Sequence, residues 1–283
     1  MTLAIVTDST ACLPSYQVER LGITVVPVQV TIDDKTFDEG IGISSVSVMS
    51  ALTRGQAVST NRPAPEKFAQ IYETLAARGA TEIVSIHLSS ELSGTYSSAV
   101  LAAREARVPV RVVDSRTIGL GLGFAVLAAA DESAHAPSAS HIADIATRRG
   151  RAARAWLCVD TLEHLRVGGR IGVAQAAVGS VLAIKPILEV SGGRIVPSDK
   201  VRTMSRAIAR LTELAFEAAA DLGGRVEIGV QHAGAREKVE SLSAALGKAQ
   251  PGVPVVTSDL GAVLSAHVGP GAIAVVVSPV ISY

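Results

Sequence analysis

Three apolar runs in the first half of this 283-residue chain stop abruptly at small polar residues, and that punctuation constrains the fold most. Leu3 to Thr7 ends in Asp8-Ser9-Thr10, Glu82 to Leu88 in Ser89-Ser90, and Val110 to Val113 in Asp114-Ser115. Short Val/Ile-rich runs of this kind are the mark of strands buried on both faces of a parallel sheet. Between them lie helical stretches. Phe68, Ile71, Tyr72 and Leu75 recur at the spacing of one helix face within Glu66 to Ala77, and Pro65 suits the first turn. Tyr96 to Ala106 and Gly119 to Ala130 read as further helices, and Ile23 to Ile32 as another strand before the turn Asp33-Asp34-Lys35. Alternation of strand, loop and helix implies a parallel sheet covered by helices. In such sheets ligands bind beyond the carboxyl ends of the strands, so the three polar clusters are expected to share one edge.

The character changes after Asp131 to Ser140, a Ser/Ala/Pro-rich stretch read as an exposed connection, and a basic helix from Ser140 to Arg154. Trp156 to Val159, Leu182 to Val190, Arg194 to Pro197, Val226 to Gln231, Val253 to Ser258 and Ile273 to Val277 read as strands. Gly168 to Gly179 is punctuated by glycine, and Met204 to Leu222 is a long Ala-rich helix. The fold class is therefore α/β with two domains: residues 1–150 with a parallel sheet flanked by helices, and residues 151–283 with a mixed or antiparallel sheet.

Composition narrows function. Hydrophobic residues make up 48% of the chain but aromatics only 3%, and mean hydropathy is +0.37, so the apolar mass is aliphatic. That suits a flexible aliphatic guest better than a stacked base. Lys plus Arg and Asp plus Glu both number 26, which lacks the basic excess of a nucleic-acid binder. Cys12 and Cys158 are far apart with no CxxC, and read as small buried hydrophobes rather than a disulfide or metal framework. The N-terminus has no basic leader, and the longest apolar run, Ile118 to Ala130, is too short to span a bilayer, so a cytoplasmic location is expected. No GxGxxG, GxxxxGK[ST], HExxH or GxSxG motif occurs.

Four polar stretches can carry chemistry. Ser89 to Ser98 (SSELSGTYSS) lies between a strand and a helix, where free N–H groups and the helix dipole favour an anion; Gly94 admits close approach and Ser93 adds a neutral donor. Ser93 reads equally as a simple helix cap. Thr60-Asn61-Arg62-Pro63 is a polar turn. Leu165 to Ile171 contains Gly168-Gly169-Arg170, an Arg on a flexible loop that is suited to forking onto carboxylate or phosphate, or simply an exposed turn. His267 precedes Gly269-Pro270-Gly271. Ser93, His267 and Asp114 supply the inventory of a hydrolytic triad, but a triad is defined by geometry.

Taken in order, these stretches resemble the DegV family across essentially the whole chain. The resemblance runs through Thr7-Asp8-Ser9-Thr10 with Leu13-Pro14, Thr60-Asn61-Arg62-Pro63, Ser89 to Tyr96 and Val113-Asp114-Ser115. It continues through Leu162-Glu163-His164-Leu165 with Gly168-Gly169-Arg170-Ile171, Ile184 to Leu188, and His267 to Ala272. It implies a long-chain fatty acid buried between two domains as the ligand, with no other cofactor and no metal. The carboxylate would be held at Thr60, Ser93 and Gly94, with His267 nearby. It also implies a separate ATP-dependent fatty acid kinase subunit as partner, which makes an acyl phosphate and for which the Arg170 loop matters, and at most transient membrane contact. Two departures stand out: the family commonly reads Thr-Ser-Gln-Pro where this chain has Thr60-Asn61-Arg62-Pro63, and often has Ser at the position of Gly119. The competing readings are a hydrolase or phosphotransferase acting on acyl compounds through Ser93, and a binder of another amphipathic acid.

Overall fold

The computed structural model describes residues 2–135, 138–172, 184–223 and 225–281. Strand β1 (Leu3–Asp8) opens the chain, and a short 3-10 turn at Ser9–Ala11 is capped by the Asp8 carboxylate. Helix α1 (Ser15–Leu21) ends at Gly22 in the left-handed conformation and leads into β2 (Thr24–Val26), which pairs parallel with β1. The run expected to be one strand from Ile23 to Ile32 breaks at Pro27. Proline has no N–H to give a ladder, and the chain leaves the sheet there.

Beyond Pro27 the chain builds a small antiparallel sheet that the sequence reading did not separate. It contains β3 (Gln29–Ile32), β4 (Lys35–Asp38) and, after α2 (Ser45–Thr53), β5 (Val58–Asn61), in the order β4-β3-β5. Then come α3 (Pro65–Ala77), β6 (Glu82–His87), α4 (Thr95–Ala103) and β7 (Val110–Asp114). Strands β2-β1-β6-β7 form a wholly parallel four-stranded sheet, as the apolar runs required. The polar strand ends do share an edge. The Asp8 carboxylate accepts the Leu88 amide at 3.1 Å, and Ser90 Oγ donates to Asp114 at 2.5 Å.

Helices α5 (Leu120–Ser133) and α6 (Ala139–Ala152) join the two halves. The connection between them is shorter than the expected Asp131 to Ser140, because α5 runs on to Ser133 and the Ser138 hydroxyl caps α6 at the His141 amide. The second half contains β8 (Arg154–Cys158), α7 (Glu163–Val167), β9 (Lys185–Ser191), β10 (Arg194–Val201), α8 (Met204–Leu222) and β11 (Val226–His232). It ends with α9 (Arg236–Ala249), β12 (Val255–Asp259), α10 (Gly261–Val268) and β13 (Ile273–Pro279). Its six-stranded sheet has the order β10-β9-β8-β13-β11-β12 and is mixed, with only β11 and β12 parallel. Residues 173–179 of the glycine-punctuated stretch, and the first two residues of the strand expected from Leu182, lie outside the described residues.

Each sheet has its own apolar core. Ile5, Val84, Ile86 and Val113 pack under α5 and α6, while Trp156, Ile187, Val230 and Val275 pack under α8 and α9. A third cluster spans the halves. Leu120 and Phe124 of α5 meet Ala155 and Val276 of the mixed sheet. Gly229 permits this approach, because a Cβ there would come within 2.6 Å of Leu120 Cδ1. Alternation along β8 sends Ala155 and Leu157 toward the parallel domain and Trp156 toward α8.

Candidate ligand-binding site

Between the two large sheets lies a cavity of about 350 Å³. Its body is aliphatic, with Leu88, Ile118, Leu157, Val190, Ile195 and Val276 among the walls, and no Asp or Glu is among its described lining residues. Its polar lining residues are Thr10, Thr60, Asn61, Arg62, Ser93, Arg170 and His267, with Gly94 beside them. The five positions singled out in the sequence, Thr60, Ser93, Gly94, Arg170 and His267, are among its lining residues, drawn from four separate stretches.

Thr60 sits in β5 rather than in the turn expected for it. Its partner across the ladder is Val30, and strand alternation separates it from its neighbour: Asn61 donates its amide to Thr31 Oγ1 at 3.0 Å instead of joining Thr60. Thr60 Oγ1 meets His267 Nε2 at 2.8 Å. His267 is in the last turn of α10, which the sequence reading did not find because the helix is apolar on nearly every side and shows no amphipathic period. Burial, with the nearby Arg170 cation, pushes the His267 pKa down to about 4. The ring is therefore neutral at physiological pH. Its Nδ1 is sealed from solvent and has no partner among the described residues.

The Arg170 side chain is held in place by carbonyls. Its Nε donates to Leu92 O at 3.1 Å and its Nη1 to Gly168 O at 2.6 Å. Gly168 must be glycine for steric reasons, since a Cβ there would collide with His267 Nδ1. The reverse contact also exists, because the ring of His164 rests where a Cβ of Gly269 would lie. The Leu162 to Ile171 loop and the His267 to Gly271 loop thus interlock, each placing a histidine against the other's glycine.

Ser93 lies just before α4. Its Oγ accepts the Thr95 amide at 3.3 Å and meets Thr95 Oγ1 at 2.9 Å, so it is bonded to the first helical residue while lining the cavity; the N-cap itself is Gly94. Gly94 is covered by Arg62, whose guanidinium occupies the space a side chain would need. Gly119, where a serine was expected by resemblance, has φ +62, and a Cβ would come within 2.5 Å of Gln231 Oε1. Gln231 is buried, accepts the Leu120 amide at 2.8 Å and donates to Ser258 at 3.1 Å. A neighbouring strand thus fills the polar niche behind Gly119.

The triad inventory does not assemble. Asp114 binds Ser90 and Arg116, while His267 binds Thr60. A Ser–His–Asp chain does exist elsewhere: Asp8 Oδ2 meets His87 Nδ1 at 3.0 Å, and His87 Nε2 meets Ser85 Oγ at 2.7 Å. Tyr72 donates to Ser85 at 2.9 Å, and all four residues are buried. This network is a sealed polar core that substrate cannot reach. The sequence signal for it was Ser85 and His87 at alternate positions of an apolar strand. Cys12 packs against Thr10 O and Leu260 O, and burial raises its thiol far out of the nucleophilic range. Glu39, also unread in the sequence, accepts the Val263 amide at 2.8 Å and so caps α10 from a distant loop.

Fold and site together define a class: two-domain α/β proteins enclosing an aliphatic cavity with a small hydroxyl-rich head. The chain matches the model of the DegV family over residues 2–280 and belongs to that family. A DegV domain-containing protein of Streptomyces coelicolor is 49% identical over 277 residues, covering 98% of both chains. Protein DegV of Bacillus subtilis is 35% identical, covering 97% of this chain and 98% of its own. Among solved structures, a DegV family protein from Thermus thermophilus described for its fatty acid binding superimposes with TM-score 0.91 at 32% identity, covering 99% of this chain and 100% of its own. The crystal structure of Bacillus subtilis DegV, described as a fatty acid binding protein, gives TM-score 0.89 at 34% identity, covering 98% and 99%.

Proposed function

We propose that this protein holds one long-chain fatty acid in the inter-sheet cavity, with its carboxylate on the hydroxyls of Thr60 and Ser93. The observation that carries this reading is the pair of hydroxyls, Thr60 and Ser93, at the polar end of an otherwise aliphatic cavity. With its proton on Nε2, the neutral His267 donates to Thr60 and leaves the threonine proton free for a carboxylate. The orphan Nδ1 is then a bare lone pair, which is tolerated better than an orphan N–H. The Thr95 hydroxyl likewise orients Ser93. A buried methylene contributes about 0.8 kcal/mol, so a tail of ~14 supplies on the order of 10 kcal/mol gross before the costs of association. The head group needs donors because an unpaired buried charge is expensive.

We read the chain as a carrier rather than an enzyme, since Ser93 is bonded to Thr95 and not to a base. A carboxylate held by neutral donors stays reactive, which suits presentation to a separate ATP-dependent kinase that forms an acyl phosphate; Arg170, at the polar end of the cavity, is the residue we assign to that encounter. We place the domain boundary near residue 150, because no strand pairing crosses it, and we place the protein in the cytoplasm. No helix among the described residues is long and apolar enough to cross a membrane.

Native mass spectrometry of the purified protein, followed by lipid extraction, tests the reading. One co-purified fatty acid per chain is expected. Thr60→Val and Ser93→Ala are each expected to weaken binding by about 1–3 kcal/mol, the usual cost of a buried group losing its partner. A wild-type protein that carries no fatty acid and refuses added ones would overturn the reading.

A further inference from the structure

One of the polar residues lining the cavity, Thr10, stands apart from the head. It lies in the 3-10 turn that follows β1, and the bonds made by its neighbours show where along the cavity that is. Asp8 Oδ2 accepts the Leu88 amide at 3.1 Å, Ser9 Oγ accepts the Val28 amide at 3.0 Å, and Cys12 Sγ lies 3.4 Å from Leu260 O. Leu88, Val28 and Leu260 all belong to the aliphatic wall. Leu260 immediately precedes α10, and His267 lies in the last turn of that helix. The helix rises about 10 Å between them. Thr10 is therefore placed partway down the cavity, with the head at the other end of α10.

The Thr10 hydroxyl is fixed. Its Oγ1 donates to Asp8 Oδ1 at 2.5 Å, and Asp8 is itself held by the Thr10 amide at 3.1 Å, the Leu88 amide and His87 Nδ1. The sealed network of Tyr72, Ser85, His87 and Asp8 thus touches the cavity through Thr10. With its proton committed to a carboxylate, the threonine oxygen offers a guest only lone pairs. Capping the turn does not account for the hydroxyl, because the Thr10 amide already makes that bond to Asp8. A plain methylene chain has no use for an acceptor. From this fixed acceptor, resting on the fatty-acid reading above, we propose that the cavity takes acyl chains that carry a hydroxyl group partway along the tail. Thr10 is the specificity-determining residue that accepts from that hydroxyl, and Asp8 is the positioning residue behind it. An advance of about 10 Å spans roughly eight carbon–carbon bonds of an extended chain, which places the group near the ninth or tenth carbon. Against the purely aliphatic walls on either side, a hydroxyl would be buried without a partner, which is costly.

The test is competition binding of hexadecanoate and three hydroxyhexadecanoates, with the hydroxyl on the sixth, the tenth or the fourteenth carbon. In the wild type the tenth-carbon isomer is expected to bind more tightly than the other two by roughly tenfold, the order of one buried hydroxyl finding its partner. Thr10→Val is expected to erase that lead, and Thr10→Ser, which keeps the oxygen, to retain it. Denaturation midpoints show whether each variant is folded, and if Thr10→Val is not, the ranking in the wild type decides. No lead for the tenth-carbon isomer in the wild type, or a lead that survives in folded Thr10→Val, overturns the inference; hexadecanoate that still binds then leaves the fatty-acid reading standing. Failure of the wild type to bind any of the four acids removes the fatty-acid reading and this inference together.

Discussion

His267, at the polar end of the cavity, bears on stability. Its folded pKa of about 4 lies below the ordinary 6.5. Between those values the unfolded chain binds the proton and the folded chain refuses it, so stability is whole above pH 6.5 and is lost as pH falls toward 4. The loss is on the order of 3 kcal/mol across that window. His164, whose pKa burial also lowers, acts in the same sense. Glu39 acts in the opposite sense. Burial raises its pKa, so the folded state holds its proton longer than the unfolded state and stability declines as pH rises past 4.5. The difference between wild type and His267→Gln isolates the histidine. Urea midpoints of the two proteins are expected to converge as pH drops from 6.5 to 4, and parallel curves would refute this assignment. Gly168→Ala tests the interlocking loops. Its backbone is ordinary helical, so the penalty comes from the new Cβ, pressed chiefly against His267 and also near the His164 carbonyl. Overpacking of this kind costs about 1–3 kcal/mol, to be read from the denaturation midpoint.

At the scale of elements, the β9–β10 hairpin forms one wall of the cavity through Val190 and Ile195, and its tip is fastened to the parallel domain. Ser89 Oγ donates to Gly193 O at 2.7 Å, and Arg194 pairs with Glu91 at 2.7 Å, which Arg116 also holds at 3.1 Å. The arginines hold the Glu91 carboxyl below its usual range, Arg194 first. Exposed pairs add little to global stability, but this one pins a wall of the cavity. Arg194→Ala is therefore expected to leave the melting temperature nearly unchanged and to speed release of a fluorescent fatty acid several-fold in stopped-flow measurements. An unaltered release rate would mean that acyl chains leave by another route.

For the whole molecule, α5 is the element that couples the sheets, with contacts to β1 and β6 on one side and to β11 and β13 on the other. Phe124 lies at that junction, with the Arg149 guanidinium 5.8 Å from its ring centroid. Phe124→Ala is expected to cost about 3–5 kcal/mol. Trp156, the single tryptophan, reports the mixed sheet alone, whereas far-UV dichroism reports every helix. Because α5 serves both sheets, the two signals are expected to shift together in this variant. A Trp156 midpoint that stays put would show that the two halves unfold independently.

Much of this was legible in the residues. The parallel sheet followed from apolar runs that stop at Asp8, Ser89 and Asp114, because strands buried in a sheet stay largely apolar until they emerge. Helix α8 was found to the residue, since one exposed face gives a clean period. The order of motifs pointed to Thr60, Ser93 and His267, which line one cavity. The sequence alone did not reveal α10, whose all-round burial erases periodicity, or β5, whose last two residues, Thr60 and Asn61, read as the start of a turn until β3 lies beside them. Nor did it reveal that Thr60 pairs with His267, 207 residues away, while its own neighbour Asn61 points elsewhere. Local spacing records which face of an element is buried. Which faces meet, and how much charge surrounds the space between them, is set only when the two sheets close on α5.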